Sequence, residues 1–560
     1  MTPLPGSRDA SAATQISFLG VPAARLSSVL VRGSRTGLHS GRLAAYSQGD
    51  GASFIPAKPF RAGETVAVSA TLSGGAAPAP LAFAFTVATA DTAGEAGGSS
   101  TPSSNPRDYQ SFRSRPDLKP PLVTVTAHAA GASPGELLLA PYSGPGQYGP
   151  MILGEDGSVV WFKPLSPAGT RAADLRVQSY EGRQVLTWWQ DPLITAASRK
   201  AGIVIADSAY RTLAVLRAGN GYQPDLHEFE ITPQGTALIT VYDGIRCNLS
   251  SLGGPREGAV ADTLVQVLDI RTGLVKYEWH SLDHVPLSDA YVSPRPGSAK
   301  EPFDFFHVNS IDVQHDGSLL IDARNTWAAY DVDARSGQVL WQLGGRHSSF
   351  AMSRGAAVAF QHDARSSPAG GITFFDNGAT PRVHAQSRAI ELTLDGSRRT
   401  ATLTRNVEHS PALVAGSQGN LQALANGNWL IGWGQAPWFS EYGPGGQLLF
   451  DAHLPSSYES YRAYRQAWSA RPATPPAFAY LAAAGAASVY ASWNGATDVA
   501  SWRVLAGRSA STMVAVATVP RQGFETRIRL AVVPKRGSYV TVQALDGAGA
   551  VMASGAAKRT

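Results

Sequence analysis

A short unit recurs between residues 119 and 468 and constrains the fold more than any other feature of the sequence. Each copy is a glycine-containing turn followed by a β-like run that carries an aromatic residue. Examples are Glu155-Asp-Gly-Ser-Val-Val-Trp161, Arg271-Thr-Gly-Leu-Val-Lys-Tyr-Glu-Trp279, Arg335-Ser-Gly-Gln-Val-Leu-Trp341 and Gly445-Gly-Gln-Leu-Leu-Phe450. A companion hairpin such as His315-Asp-Gly-Ser-Leu-Leu-Ile321 also repeats. This recurrence is typical of a β-propeller. A period of roughly 40–50 residues allows six to eight blades, and the insertions favour six.

Further β-rich segments flank this region. Residues 16–90 hold short alternating runs, which predict a small β-sandwich. Residues 469–560 hold five to seven short strands and look like a fibronectin type III module. Residues 91–118 are rich in Gly, Ser, Thr and Pro and are predicted to be a linker, and residues 1–15 a flexible N-terminus. The predicted class is therefore all-β, a six-bladed β-propeller (119–468) between two smaller β modules.

Composition excludes several classes of function. The formal charge is only +5 and the basic residues are scattered, so we expect no nucleic-acid partner. Cys247 is the only cysteine, which precludes an intrachain disulfide, and no apolar run is long enough for a transmembrane helix. Met1 to Gln15 shows no signal-peptide pattern. The fibronectin-like module still favours a secreted or cell-surface protein; the sequence indicates no oligomeric state.

Histidine and arginine occur in four segments beside short β-like runs. The segments are Asp225-Leu-His227-Glu228, Phe306-His307-Val-Asn309-Ser310, Ala323-Arg324-Asn325-Thr326-Trp327 and Gln361-His362-Asp363-Ala-Arg365. Burying an unpaired polar side chain costs free energy, so β runs rarely carry histidine without a reason. Arginine presents a permanently charged planar fork of donors. We expect these side chains to converge on a small anion such as sulfate.

The same segments resemble the nucleotide-independent arylsulfate sulfotransferases, in their actinobacterial and fungal branch. The matching text runs in order along residues 120–455. It comprises Asp225-Leu-His-Glu-Phe-Glu-Ile-Thr-Pro-Gln-Gly-Thr-Ala-Leu-Ile-Thr240, Phe305-Phe-His-Val-Asn-Ser-Ile-Asp312, Ala323-Arg-Asn-Thr-Trp327, Gly337-Gln-Val-Leu-Trp-Gln-Leu-Gly-Gly345, Phe360-Gln-His-Asp-Ala-Arg365, Phe375-Asp-Asn-Gly378 and Asn426-Gly-Asn-Trp-Leu-Ile-Gly-Trp433. The resemblance implies a six-bladed propeller that transfers a sulfuryl group from an aryl sulfate donor to a phenol acceptor.

The resemblance also implies roles for individual residues. His362 matches the nucleophile that carries the group as sulfohistidine, and Arg324 matches the arginine that holds sulfate oxygens. His227 and His307 match the remaining histidines, and the sequence does not decide which of them acts as acid and base. Asn309 is predicted to donate to a sulfate oxygen.

Two tryptophans, Trp327 and Trp433, are predicted to line a pocket for the aryl group. The resemblance implies no cofactor, and no metal is predicted for the reaction.

Other interpretations remain open at this level. Three histidines can bind zinc, but their spacings of 80 and 55 residues neither show nor exclude such a site. The neighbouring Arg324 disfavours a cation. A non-catalytic extracellular propeller that binds carbohydrate or protein is the second hypothesis, in which each histidine is simply a hydrogen-bonded core residue.

Overall fold

The computed structural model describes residues 1–74, 77–91, 105–167, 169–193, 200–294, 301–483 and 485–560. Within these ranges the chain forms β-strands and short 3-10 helices, and no α-helix occurs. The all-β class is therefore confirmed. None of the described residues lies in a helix long and apolar enough to cross a membrane.

The strands are numbered in chain order. The N-terminal region contains β1 (Ile16–Leu19), β2 (Leu26–Gly33), β3 (Gly37–His39), β4 (Gly41–Ala45), β5 (Gly51–Pro56), β6 (Thr65–Leu72) and β7 (Ala79–Thr86). The central region begins with β8 (Thr124–His128), β9 (Glu136–Leu139), β10 (Met151–Leu153), β11 (Val159–Phe162), β12 (Arg171–Tyr180), β13 (Arg183–Asp191), β14 (Gly202–Ala206), β15 (Thr212–Leu216), β16 (Phe229–Ile231), β17 (Thr236–Cys247), β18 (Gly258–Asp269) and β19 (Val275–His280).

The central region continues with β20 (Val308–Val313), β21 (Leu319–Ala323), β22 (Ala328–Val332), β23 (Val339–Gly344), β24 (Ala351–Met352), β25 (His362–Ser366), β26 (Gly371–Asp376), β27 (Arg388–Asp395), β28 (Thr400–Glu408), β29 (Asn420–Ala423), β30 (Trp429–Gly432), β31 (Trp438–Tyr442), β32 (Leu448–His453) and β33 (Ala463–Gln466). The C-terminal region contains β34 (Ala477–Ala483), β35 (Ala486–Ser492), β36 (Ser501–Gly507), β37 (Val514–Pro520), β38 (Thr526–Leu530), β39 (Tyr539–Leu545), β40 (Val551–Ser554) and β41 (Lys558–Arg559). The 3-10 helices are Ala23–Arg25, Pro106–Asp108, Ser250–Leu252, Ser281–Asp283 and Leu287–Asp289.

The central strands form a series of antiparallel sheets. Their strand orders are β11-β10-β9-β33, β12-β13-β14-β15, β16-β17-β18-β19, β20-β21-β22-β23, β24-β28-β27-β26-β25 and β29-β30-β31-β32-β8. Most sheets follow chain order, as in up-and-down propeller blades. In two of them a strand comes from the far end of the region: β8 pairs with β32, and β33 pairs with β9.

Glycine turns and buried aliphatic residues explain why these segments become hairpins. Gly317 and Gly427 have φ of 88° and 84°, a conformation that residues with a side chain disfavour, and each is the last residue of the turn that precedes a buried strand. The following strands, β21 and β30, are wholly buried. The turns and hairpins predicted from the sequence therefore match the observed strands.

The flanking regions each contain two sheets around one apolar core. In the N-terminal region the sheets β1-β5-β4 and β3-β2-β6-β7 share a core that includes Phe18, Val66 and Phe85. In the C-terminal region the sheets β34-β35-β38 and β37-β36-β39-β40 enclose Trp493 and Trp502.

The chain divides into two compact units. The first comprises Met1–Ser99, Pro192–Ile203 and Val215–Leu421, and the second the remaining residues. Residues 92–104, nearly half of the predicted linker 91–118, lie outside the described residues. The predicted domain boundaries stay predictions.

The N-terminal residues 1–15 differ from the expected flexible segment. Thr2 forms a β-bridge with Ser17 and is buried. The backbone N–H of Gln15 donates to Oδ1 of Asn220 at 3.0 Å, and the N–H of Glu278 donates to Oγ1 of Thr2 at 3.2 Å. The segment is ordered because its polar groups find partners more than 200 residues away, which composition alone does not reveal.

Candidate active site

Three histidines lie where edge strands of three successive sheets begin. His227 lies two residues before β16, His307 lies immediately before β20, and His362 is the first residue of β25. Arg324 follows β21, the neighbour of β20. Equivalent positions in successive sheets bring residues that are distant in sequence to one place, and all four belong to the first compact unit.

The structure brings these side chains together. The ring centroids of His227 and His307 are 5.0 Å apart, and those of His307 and His362 are 6.5 Å apart. Tyr242 packs against His227 and His307 at 5.4 and 5.6 Å. His307 therefore occupies the middle of the cluster.

His362 is held as a neutral imidazole with a defined tautomer. It is only 1% exposed. Its Nδ1 lies 2.7 Å from Oδ1 of Asn377, whose amide nitrogen donates to the backbone oxygens of Ala415 and Gln418. Nδ1 must therefore carry the proton, and Nε2 accepts a hydrogen bond from the N–H of Gln418 at 3.2 Å. The lone pair of Nε2 is the one available for chemistry.

Electrostatics favour the same state of His362. Burial, then the positive charge of Arg324, lowers the pKa of His362 well below its ordinary 6.5. A nucleophilic imidazole must be unprotonated, so this environment suits attack at neutral pH.

The other two histidines each have a carboxylate partner. His227 Nδ1 bonds the Oδ1 of Asp225, and His307 Nδ1 bonds the Oδ2 of Asp304. These bonds direct the Nε2 atoms away from the carboxylates. Burial lowers the pKa of His307, and Asp304 opposes that effect.

Arg324 is fixed by three contacts. Its Nη1 donates to Oδ1 of Asn325 at 2.9 Å, and its Nη2 donates to the carbonyl of Gly416 at 3.1 Å. The guanidinium lies 4.7 Å from the ring centroid of Phe360. Burial lowers the pKa of Arg324, but a guanidinium stays charged at any physiological pH. The result is a positive charge held beside His307 and His362.

The structure corrects the predicted role of Asn309. Its side-chain amide donates to the carbonyl of Gln361 at 3.0 Å and accepts from the N–H of Asp363 at 2.9 Å. These groups flank His362 on either side, and Asn309 is fully buried. Asn309 therefore clamps the backbone that carries His362, and its amide is directed at that backbone instead of at a ligand.

A second layer of charge supports the same backbone. Arg365 bonds the carboxylates of Asp363 and Glu228. Oδ2 of Asp363 accepts from the N–H of Leu421 at 3.1 Å, which ties the segment after Gln418 to the strand of His362. These residues hold the site without reaching its centre.

The two tryptophans that were predicted to line the aryl pocket, Trp327 and Trp433, differ in their surroundings. Trp327 stacks on Tyr291 at 3.7 Å and meets Phe360 edge-on at 5.1 Å, so it lies beside the platform that supports Arg324. Trp433 belongs to the second unit, has no exposed surface, and donates from its indole N–H to Ser440. Its ring offers no free face to a substrate, because strand packing covers it.

The backbone at the site is unusual. His307, Trp327, Phe360, Asp363 and Gln418 all have left-handed φ values between 53° and 65°. Non-glycine residues avoid this region, and such strain is commonly concentrated at functional sites.

A cavity of about 230 Å³ adjoins Arg324. Its lining is mixed. The apolar side chains are those of Leu249, Pro255, Val292, Pro294, Pro302 and Phe303, and the polar ones are those of Ser293, Glu301, Asp304, Arg324 and Asn325. Through Asp304 and Arg324 the cavity shares residues with the histidine cluster.

Several site residues were not assigned a role from the sequence. Asp304, Asn377, Gln418 and Tyr242 all contact the histidines. Asn377 lies within the segment Phe375-Asp-Asn-Gly378, which matches the sulfotransferase family, so only the family resemblance could have pointed to it. Gln418 lies on a loop 56 residues after His362, and it is in none of the sequence segments that match the family.

The geometry defines a class of site. Three histidines and a half-buried arginine lie together on an all-β, propeller-like scaffold, which is an arrangement suited to binding an anion. The arylsulfotransferase (ASST) family model matches residues 176–454, which contain all four residues. The chain belongs to the arylsulfotransferase family and is an aryl sulfotransferase enzyme.

Two solved structures are similar to this chain at low sequence identity. A protein of unknown function from Bacteroides caccae is 15% identical, with 59% of this chain and 98% of that chain covered and a TM-score of 0.38. Virginiamycin B lyase from Staphylococcus aureus is 10% identical, with coverages of 67% and 97% and a TM-score of 0.31. No functionally curated protein matches the sequence significantly.

Proposed function

We propose that this enzyme moves a sulfuryl group from an aryl sulfate ester to a phenol through a sulfohistidine on His362. One observation carries the proposal. His362 is kept neutral, its unprotonated nitrogen is Nε2, and a fixed arginine and two further histidines adjoin it. Sulfate esters carry charged oxygens, which fixed donors of this kind stabilise as charge develops.

In the first step the Nε2 lone pair of His362 forms an N–S bond and the S–O bond to the aryl group breaks. The phenolate leaves with that electron pair and takes a proton from His307. Arg324 neutralises the sulfuryl oxygens. Asn377 accepts from Nδ1–H and so stabilises the positive charge that forms on the imidazole.

In the second step the acceptor phenol attacks the same sulfur. Its proton passes to His307, and the electrons of the N–S bond return to Nε2 of His362. We assign the proton transfers to His307 because its ring contacts that of His362, and Asp304 stabilises its protonated form. The negative charge of a bound sulfate favours that form as well. His227 then serves as a donor to sulfate oxygens.

The substrate must displace one existing contact. His362 is buried and its Nε2 receives the N–H of Gln418, whereas the side chain of His307 is 22% exposed. The donor therefore approaches from the His307 side, and the loop at Gln418 yields as sulfur bonds to nitrogen. The cavity beside Arg324 is large enough for an aryl ring, since roughly 150 Å³ already accommodates benzene, and its apolar side chains would contact that ring.

The sheet topology also supports a proposal for the number of propeller blades. Six sheets in the described central region, with β8 completing the sheet of β32 and β33 that of β9, are the arrangement expected for a closed six-bladed propeller. The two-sheet C-terminal module is proposed to be fibronectin type III-like, and the protein to be secreted or at the cell surface.

The experiment is incubation with a chromogenic aryl sulfate, with and without added phenol. The proposal predicts slow release of the chromophore alone and faster release with acceptor, together with formation of the acceptor's sulfate ester. If added phenol does not accelerate release of the chromophore, and free sulfate is the only sulfate product, the enzyme is a hydrolase. An inactive protein that binds the donor would favour the binding hypothesis.

A further inference from the structure

The C-terminal region, residues 469–560, carries a positive charge that the rest of the chain does not. It contains ten basic and three acidic residues, a formal charge of +7, whereas the whole chain carries +5. The other residues together are therefore slightly acidic. A strong field of one sign on one part of a protein attracts partners of the opposite sign.

Much of this charge collects at one end of the region. The loop between β38 and β39, residues 531–538, crosses from one sheet to the other at this end. Tyr539 pairs with Gly507 on one side and with Arg559 on the other, which brings the loop after β36 and residues 558–560 to the same place. We call this end the basic pole, and its exposed cationic side chains are Arg508, Arg529, Lys535, Arg536 and Arg559.

The acidic side chains of the region lie at the opposite end. Asp498 precedes β36, Glu525 precedes β38 and Asp546 follows β39. These strand ends are far from the basic pole, because Ser501 at the start of β36 pairs with Leu545 at the end of β39. Within residues 469–483 and 485–560, the basic pole therefore holds no acidic side chain, and its cations have no carboxylate partner there.

The contacts between this region and the central strands also use the opposite end. The side chain of Asn494 accepts from the N–H of Phe162 and donates to its carbonyl, both at 2.9 Å. The N–H of Gly495 donates to the carbonyl of Val160 at 2.8 Å, and the hydroxyl of Tyr210 donates to the carbonyl of Gly495 at 2.8 Å. These contacts leave the basic pole exposed to solvent.

Two apolar side chains stand at the basic pole as well. Val532 lies in the same loop as Lys535 and Arg536, and Val514 pairs with Ala506 at the start of β37. They are 78% and 66% exposed, the two highest values among the large apolar side chains of the described residues. Single exposed apolar residues are ordinary, but the two most exposed ones share one pole with five cations.

We propose that the basic pole binds an anionic lipid surface. Lysine and arginine near such a surface are attracted to its phosphate groups, with which arginine forms paired hydrogen bonds. Val532 and Val514 would enter the apolar layer beneath those groups and leave water. A soluble polyanion would engage the cations equally well, but it would leave both valines in water. The combination of charge and exposed aliphatic side chains therefore favours the lipid surface.

The test is co-sedimentation of the full-length protein with vesicles of phosphatidylcholine alone, or of phosphatidylcholine mixed with phosphatidylglycerol. The proposal predicts binding to the mixed vesicles that weakens as salt is added, and no binding to the neutral ones. Lys535→Gln/Arg536→Gln should weaken binding about 25-fold, which is about fivefold for each charge removed. Val532→Ser should weaken it about tenfold, because the side chain no longer enters the apolar layer.

The matched control is Arg32→Gln/Arg42→Gln. Arg32 on β2 and Arg42 on β4 are exposed in the N-terminal region, so this variant loses the same net charge away from the basic pole. It should bind the mixed vesicles as the wild type does. Because every altered side chain is exposed, all variants should keep the melting temperature of the wild type.

Several results would overturn the proposal. They are no binding of the wild type to the mixed vesicles, equal losses in the two double variants, or unchanged binding by Val532→Ser. Binding to dextran sulfate without binding to either kind of vesicle would assign the basic pole to a soluble polyanion instead. These measurements do not depend on sulfuryl transfer, so their outcome is independent of the proposed function.

Discussion

Replacing Asn309 with alanine tests how the position of His362 is set. The substitution removes one donor and one acceptor, and it leaves the carbonyl of Gln361 and the N–H of Asp363 buried without this partner. Each orphaned buried group costs about 1–3 kcal/mol, so the free energy of unfolding should fall by about 2–6 kcal/mol. Both groups flank the proposed nucleophile, and a displacement of its ring by about 1 Å should lower kcat roughly 100-fold.

Asn428→Ala is the matched control. Asn428 is also buried, and its amide donates to the carbonyl of Gly131 and the carboxylate of Glu441. Denaturant unfolding should show a loss of stability in both variants, whereas kcat per folded molecule should fall only in Asn309→Ala. Equal kcat values in the two variants, measured well below their melting temperatures, would refute the positioning role.

Three further predictions concern the histidine–arginine cluster and metal. Arg324→Lys should reduce kcat/KM for a chromogenic aryl sulfate by about 10- to 150-fold. The reason is that a point ammonium replaces the planar fork of donors, so transition-state binding loses about 1.5–3 kcal/mol. An unchanged kcat/KM would show that Arg324 does not bind the substrate. Burial depresses the pKa of His362 in the folded chain, so below pH 6.5, the ordinary pKa of histidine, unfolding takes up a proton. Thermal melts should therefore show that stability falls as the pH decreases below 6.5, and that it falls less steeply in His362→Gln. Equal slopes in the two proteins would contradict a buried neutral imidazole. Chelator treatment should leave initial rates at 25 °C unchanged, because the proposed transfer uses histidine and arginine side chains alone; loss of activity that Zn²⁺ restores would assign a metal to catalysis.

The sequence predicts this fold well where local chemistry decides it. Turns such as the one at Gly317 need a positive φ, and the apolar residues after them form buried strands such as β21, so hairpins can be located from the chain alone. The order of the histidine segments then suffices to expect that His227, His307 and His362 meet, because equivalent positions in repeated sheets converge.

The details of the site follow from contacts that the sequence does not encode locally. The predicted role of Asn309 was wrong because its amide is directed by the loop of Asp363, where φ is 58°. Trp433 is covered by strand packing, which a motif cannot distinguish from a pocket wall. The ordered N-terminus depends on Asn220, about 205 residues away, and composition records nothing of such a partner.

Removal of His362 should eliminate transfer altogether. His362→Ala leaves no group to accept the sulfuryl, and loss of a nucleophile typically lowers kcat by about 10⁶-fold in a well-studied hydrolase. Asn428→Ala, which lies outside the cluster, controls for folding. Substantial transfer by His362→Ala would require a different nucleophile.

The most direct measurement is mass spectrometry of the protein after exposure to an aryl sulfate without acceptor. The sulfohistidine mechanism predicts an acid-labile, base-stable mass increase of one sulfuryl group on the peptide that contains His362, and its disappearance when a phenol is added. The same adduct on His227 or His307 would contradict the assignment of the nucleophile. Turnover with no adduct on any histidine would contradict the covalent mechanism.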